Sequence, residues 1–424
     1  MKVTYISNAC CIYESDGFQI ITDPWLINGV FDGSWCHYPP LESKPEDFKD
    51  VDAIYLSHLH PDHYQPESLR RIGREIPIII LDDEKHRFFQ KILNKDGFKN
   101  IISAKESETL LLGPFQINLF NPFTTHPFHQ CQVGNIIDSA ISIFDGKFSI
   151  FNANDNTLDE ESAIRIHRDL GAFDIAQINY NAAGPYPSCF LNLSLEDRIK
   201  ESKRILNRNL NHAAFISNVL KCRYVMPFAG VFTIGGKEHY KNETAGVESV
   251  SYASRFFKEK GLNPICLKEK ECFDLKYSNS IDSIYEDEDA EEKSRYIVQN
   301  LSKMKYEYEL EPEVNIQSLK ENLILSRNNL WKYQKRFNYF SMWSVSIDLG
   351  EEYFNFALDS DRSYFGKPPE DMRLKVFMDP RLINRILTRK SHWNNVETGF
   401  HMNFHRKPNF YDPDLHVIMS FFHL

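Results

Sequence analysis

The chain has 424 residues, more than the usual size of a single domain, and so two domains are predicted. Its formal charge of −10, without a run rich in Lys or Arg, argues against nucleic acid as a partner. No apolar run approaches the roughly 18–20 residues of a membrane span, and no signal-like segment follows Met1, so a cytoplasmic protein is expected. The eight cysteines form no C-x-x-C pair, which argues against a disulfide framework, a zinc knuckle or a Rieske cluster.

The first part of the chain alternates β-rich runs with helical stretches, as α/β folds do. The strongest strand signals lie at 3–6, 53–56, 77–81, 116–120, 140–144 and 223–226. Asp145-Gly146 predicts a hairpin turn between 141–144 and 148–151. Pro66 should open one helix, and Ser194 with Asp197 should cap another that runs toward Lys221.

The composition changes after about residue 275. An acidic run at 285–292 is typical of a solvated helix face or a linker. A helix is predicted from Ser318 to about Lys335, and the aromatic segment that follows has strand character. The sequence therefore predicts a first domain over 1–275 and a smaller α+β domain over 276–424.

The most informative motif is Ser57-His58-Leu59-His60-Pro61-Asp62-His63, which directly follows the strand signal at 53–56. Three imidazoles and a carboxylate within six residues can surround one metal ion or two, because imidazole suits Zn and Fe, and carboxylate suits Mn as well. Four polar groups at the end of a buried strand would otherwise need partners of their own. The motif therefore predicts a metal site.

This motif resembles that of the metallo-β-lactamase fold hydrolases. The resemblance implies an αββα sandwich over 1–275 that holds one or two divalent metals, with the Asp23-Pro24 turn beneath the metal site. It also implies ligands in later strand-end loops: His126, with His129 in reserve, and Asp155, which would bridge two metals. The alternatives are two surface histidines and a turn aspartate that satisfies its own backbone. The resulting metal set is His58, His60, Asp62, His63, His126, His129 and Asp155, and Asp62 and Asp155 are the candidate catalytic residues.

The chain departs from that family after its last predicted strand. Met226-Pro227-Phe228-Ala229-Gly230 has phenylalanine where the family has a metal-binding histidine, so the second metal position is weakened unless a residue such as His239 completes it. Pro-Phe-Ala-Gly, Asn-Ala-Asn-Asp at 152–155 and Ala-Gly-Pro-Tyr-Pro at 183–187 are similar to the CMP-N-acetylneuraminate hydroxylases. That family joins this fold to a Rieske domain, which this sequence lacks. Electrons would then have to come from a separate donor.

Three functions follow from these patterns. The leading one is a metal-dependent hydrolase in which metal-bound water attacks an ester, lactone, amide or phosphodiester. The second is a non-haem iron oxygenase that acts on a nucleotide sugar or a related metabolite. The third is a non-catalytic scaffold. The expected partner is a small molecule, with an anionic one held by local arginines among the options. The C-terminal histidines, at 392, 401, 405, 416 and 423, are expected to be mainly structural.

Overall fold

The computed structural model describes residues 1–82, 87–123, 138–277 and 288–424. Its strands are β1 Lys2–Ser7, β2 Cys10–Ser15, β3 Phe18–Thr22, β4 Trp35–Cys36, β5 Ala53–Tyr55, β6 Ile78–Leu81, β7 Ile101–Ala104, β8 Thr109–Leu112, β9 Phe115–Phe120, β10 Ala140–Phe144, β11 Ser149–Asn152, β12 Ile175–Ile178, β13 Tyr224–Pro227, β14 Thr233–Ile234, β15 Cys272–Asp274, β16 Ser344–Asp348, β17 Tyr353–Ala357, β18 Ser363–Gly366, β19 Leu374–Phe377 and β20 Asn403–Arg406. Its helices are α1 Val30–Gly33, α2 Pro66–Ile72, α3 Phe88–Lys95, α4 Glu160–Leu170, α5 Leu195–Val219, α6 Asn242–Ala245, α7 Val250–Glu259, α8 Ala290–Gln299, α9 Ile316–Phe337, α10 Pro380–Leu387, α11 Trp393–Thr398 and α12 Pro413–Met419. Within the described ranges, no helix combines the length and the apolar character needed to cross a membrane.

Two sheets face each other in the first part of the chain. One has seven strands in the order β15–β1–β2–β3–β5–β6–β7, and the other has six in the order β13–β12–β11–β10–β9–β8. An apolar cluster fills the space between them, with Ile20 and Ile79 from the first sheet and Ile117 and Ile141 from the second. Helices α2 and α3 cover the outer face of the first sheet, and α4, α5 and α7 cover that of the second. The predicted αββα sandwich is confirmed.

Strand β6 shows why this sheet is encoded by a continuous apolar run. Successive side chains of a strand point to opposite faces of its sheet. One face of this sheet packs against the second sheet, and helices cover the other face. Ile78 and Ile80 therefore pack toward the helices, whereas Ile79 and Leu81 pack between the sheets. The parallel order β3–β5–β6–β7 places the ends of these strands, and the loop after β5, at one edge of the sheet.

The local signals read from the sequence are found where expected. Strands β10 and β11 form the hairpin, with Asp145 Oδ1 accepting from the amides of Lys147 and Phe148 at 3.0 and 2.7 Å. Helix α2 begins at Pro66, and the Ser194 side chain accepts from the Asp197 amide at the start of α5. Helix α9 differs: it begins at Ile316, because Asn315 rather than Ser318 provides the capping side chain.

The last part of the chain forms a five-stranded sheet in the order β18–β17–β16–β19–β20, packed against α9 and α10. Its apolar cluster is continuous with residues of the first part, including Trp25, Phe31 and Trp35. The indole Nε1 of Trp35 donates to Thr398 O at 3.1 Å. The proposed boundary at 275/276 stays a prediction, and the apolar core crosses it.

Candidate metal centre

The loop after β5 gathers the predicted histidines. The amides of His63 and Tyr64 donate to His60 O at 3.0 and 2.8 Å, which closes a tight turn before α2. This turn brings the rings of His58 and His63 to a centroid distance of 4.2 Å and those of His58 and His60 to 4.6 Å. Three imidazoles thus face one small volume at the edge of the sheet.

The first group of converging atoms joins this loop to the residue before β10. His58 Nε2 lies 2.8 Å from His60 Nδ1 and 3.4 Å from Asp138 Oδ1. Nitrogen and oxygen ligands bind zinc at about 2.0–2.2 Å, and neighbouring ligands of one ion then lie about 3 Å apart. The group of His58, His60 and Asp138 therefore has the spacing of a metal-binding triad.

The second group lies on the other side of His58. His63 Nε2 is 3.4 Å from Asp155 Oδ2 and 3.4 Å from Asp62 Oδ2. Asp155 Oδ2 is also 3.9 Å from His58 Nε2, so this carboxylate stands between the two groups. Asn179 holds it there by donating to Asp155 Oδ1 at 2.8 Å.

Each histidine is oriented by a second contact on its other ring nitrogen. His58 Nδ1 contacts Ser57 Oγ at 2.9 Å, and His63 Nδ1 contacts Asp23 Oδ2 at 2.9 Å. His60 Nε2 contacts Asn394 Oδ1 at 3.0 Å. Such contacts fix the tautomer and the ring direction of metal-binding histidines. They leave Nε2 of His58 and His63, and Nδ1 of His60, directed at the centre.

The electrostatics of the site favour a bound cation. Burial lowers the pKa of His58 well below its ordinary value, which keeps its lone pair available. Burial acts in the same direction on His63, but the carboxylates of Asp62, Asp155 and Asp23 outweigh it and hold the His63 pKa well above the ordinary value. Burial raises the pKa of Asp138 to about 6. Positive charge is therefore stabilised where the carboxylates meet His63.

Two buried atoms give a test of whether a metal fits. His63 Nε2 and Asp138 Oδ1 have no hydrogen-bond partner among the residues that the structure describes. Unpaired buried polar atoms are costly, and both of these belong to the candidate ligand groups. The residues present fit a divalent metal in each group, with carboxylates that also suit harder ions than zinc.

The structure brings together His58, His60, His63 and Asp155, with Asp62 next to His63. His126 and His129 lie outside the described residues.

Phe228 is buried in the cluster between the two sheets, and His239 Nδ1 contacts Gly236 O at 3.0 Å. Neither described candidate group includes His239. The Phe228 loop is tied to the site in another way, because Asn8 Oδ1 accepts from the Val231 amide while Asn8 Nδ2 donates to Asp62 Oδ2 at 3.2 Å.

Asp138 and Asn394 were missed by the reading of the sequence. Asp138 had a signal, since it is a lone carboxylate in the otherwise uncharged run Ile136-Ile137-Asp138-Ser139-Ala140. Asn394 lies 334 residues from His60 along the chain, and no local pattern indicates that it contacts the metal-binding loop. Among the C-terminal histidines, His401 makes a structural contact, since its Nε2 lies 2.7 Å from Phe31 O, whereas His392 and His423 line a cavity.

We expect Asn394→Leu to lower metal affinity about 10–100-fold, the usual cost of losing a group that orients a ligand. Without Asn394 Oδ1, the His60 ring is free to adopt the other tautomer, in which Nδ1 carries the proton. Metal titration of the apo protein measures the change. Asn395→Leu is the matched control, as it makes the same change one residue further along α11. Equal affinities for the two variants would contradict this role for Asn394.

Comparison with known proteins agrees with this fold. Residues 2–144 match the model of the β-lactamase superfamily domain. A putative Rieske 2Fe-2S iron–sulfur protein of Mycolicibacterium smegmatis is 30% identical over 211 residues, which are 49% of this chain and 39% of that protein. The cytidine monophosphate-N-acetylneuraminic acid hydroxylase of Mus musculus is 31% identical over 106 residues, 24% of this chain and 18% of that enzyme. The matches thus span less than half of each of these relatives.

Among solved structures, CmlA, a diiron β-hydroxylase from Streptomyces venezuelae, aligns with 65% of this chain and 54% of its own, with a TM-score of 0.46 and 20% identity. The family match covers β1 to β10 and includes the loop that carries His58, His60 and His63. The match over residues 2–144 therefore agrees with the family resemblance that the histidine motif indicated.

Proposed function

We propose that this chain is an iron-dependent hydroxylase of a small polar metabolite. The observation that supports this proposal best is Asp138, which stands in the first ligand group beside His58 and His60. Two histidines and a carboxylate with open positions suit Fe(II) and O₂. With Asp62 and Asp155 the centre offers three carboxylates and three imidazoles, a harder donor set than the histidine-rich sites typical of zinc.

The named relatives support the same choice of chemistry. One is a hydroxylase of a nucleotide sugar and another is named for a Rieske cluster, so both names concern oxidation and reduction. Bound iron would supply O₂ activation: one oxygen atom enters a C–H bond of the substrate, and the other leaves as water after two electrons and two protons arrive. We propose a separate iron–sulfur protein as the electron donor, and a nucleotide sugar or related metabolite as the substrate.

The chain's own residues divide the remaining work. His58, His60 and Asp138 would hold one metal, and His63 with Asp155 would hold the other. Asp62 accepts a hydrogen bond from Asn8 on Oδ2 and lies beside His63, so it is the carboxylate placed to hold a proton. Phe31, whose ring centroid is 6.3 Å from that of His60, helps to exclude water from this side of the centre.

Hydrolysis is the second candidate function, favoured by the position of Asp62. A carboxylate beside the metal ligands, with a separate residue to orient it, can take a proton from a metal-activated water. The fold family uses such centres on esters, lactones, amides and phosphodiesters, the substrates that the sequence motif suggested. The same residues serve either reaction, and the metal decides between them.

Metal analysis of the isolated protein, combined with O₂ uptake after chemical reduction, tests the proposal. Iron together with uptake that depends on reduction would support the hydroxylase. Two zinc ions, no O₂ uptake and turnover of an ester or phosphodiester would contradict it and favour the hydrolase. Protein that binds no metal under any loading condition would contradict both enzymatic functions. The non-catalytic scaffold would then be the remaining candidate.

A further inference from the structure

A cavity of about 740 Å³, within the range of small-molecule pockets, is lined by Pro61 of the metal-binding loop, although no candidate metal ligand among the described residues lines it. Its walls come from both parts of the chain. Pro61 and Tyr64 of the metal-binding loop form one side, and Phe31, which also faces His60, forms another. The C-terminal part contributes His392, Trp393 and Asn395. These residues flank Asn394, which contacts His60.

The cationic side chains of this cavity are not equivalent. Arg385 is fully engaged, since its guanidinium lies 3.0 Å from Asp32, 2.6 Å from Glu307 and 2.8 Å from Glu311. Arg70 lies 3.4 Å from Glu67, and Lys390 lies 3.5 Å from Glu311. Arg389 also lines the cavity, and its side chain has no hydrogen bond or ion pair with any residue that the structure describes.

The backbone at Arg389 allows the side chain to be removed without strain. Arg389 follows helix α10 by two residues and has φ of 61°, a left-handed conformation that strongly favours glycine at a helix end. Lys221, just after helix α5, has the same left-handed conformation, so the conformation by itself does not indicate a binding role. The guanidinium of Arg389 is exposed on the cavity wall and has no ion pair with any of the described residues, so it is available to an anion that enters the cavity.

We propose that this cavity is the substrate pocket and that Arg389, supported by Arg70, binds an anionic group of the substrate, a phosphate or a carboxylate. The planar guanidinium presents paired N–H donors that match either anion. The remainder of the substrate would extend past Phe31 toward His60, where the reaction takes place. The substrate role rests on the function proposed above, whereas the anion site depends only on the cavity and its arginines.

Calorimetric titration of the metal-loaded protein with inorganic phosphate and, separately, with succinate tests the site. Arg389→Gly and Arg389→Gln should each weaken binding of the preferred anion about tenfold or more, because a hydrogen-bonded charge pair is lost. Arg389→Gly should also melt no lower than the wild type, since glycine relieves the left-handed backbone. The tighter of the two anions identifies the substrate group as phosphate or carboxylate.

Lys221→Gly is the matched control, because Lys221 is also a cation in the left-handed conformation, with φ of 50°, just after helix α5. It lies away from the cavity lining and should leave anion affinity unchanged. Metal-depleted protein should still bind the anion. The proposal is overturned if neither anion binds to the wild type, or if Arg389→Gly binds the anion as tightly as Lys221→Gly does. It is also overturned if removal of the metal abolishes anion binding. Anion binding without any O₂ uptake would contradict the proposed hydroxylase function but would still support this anion site.

Discussion

The double variant His58→Ala, His60→Ala should lose most of its bound metal and all turnover while remaining folded. The two imidazole nitrogens lie 2.8 Å apart and supply two of the three donors of the first group. Removing both should cost more than the roughly 10–100-fold in affinity that a lost orienting residue costs. The fold should survive, because the sandwich is held by the apolar clusters between and outside its sheets rather than by the loop.

Plasma emission spectrometry gives the metal content, and thermal unfolding of the metal-free proteins gives the stability. His239→Ala is the control, since His239 was the alternative ligand suggested by the sequence and lies outside both ligand groups of the described residues. That control should keep its metal in full. Metal retained by the double variant, or lost from His239→Ala, would mean that the site is misplaced.

The largest effect on metal choice is expected from Asp138→His. The change turns the group of two histidines and a carboxylate into three imidazoles, the donor set of many zinc sites. Affinity for Mn²⁺, which prefers oxygen ligands, should fall about tenfold or more, and Zn²⁺ affinity should fall much less. Competitive titration of apo protein with the two ions measures the ratio. An unchanged ratio would show that Asp138 is not a ligand.

Asp138→Asn separates the role of this carboxylate in the fold from its role at the metal. Burial holds the pKa of Asp138 at about 6, above its value in an unfolded chain, which is about 4. A raised pKa means that stability of the metal-free fold is lost progressively as the pH rises from about 4 to about 6, and the full loss is present above that. Metal-free Asp138→Asn should therefore be more stable than metal-free wild type at pH 7, and the difference should vanish as the pH falls toward 4. Lower stability of the variant at pH 7 would indicate a structural role instead.

The fold was largely accessible from the sequence because its signals are local. Ile78 to Leu81 encode a strand buried on both faces, Pro66 and Ser194 mark helix starts, and Asp145-Gly146 marks a hairpin. Each of these depends on residues within a few positions of one another. The start of α9 at Ile316 was missed for the same reason, since Asn315 and Ser318 are both good capping residues and only the structure decides between them.

The sequence by itself determined that a metal-binding loop follows a buried strand, because His58, His60, Asp62 and His63 fall within one turn of the chain. Only the tertiary structure decided what surrounds that loop. Asp138 reaches His58 across the two sheets, and Asn394 reaches His60 from the far end of the chain. Contacts between residues 80 and 334 positions apart depend on the packing of whole layers, and no local pattern encodes them. The cavity that Pro61, Phe31 and Arg389 line arises from that packing as well.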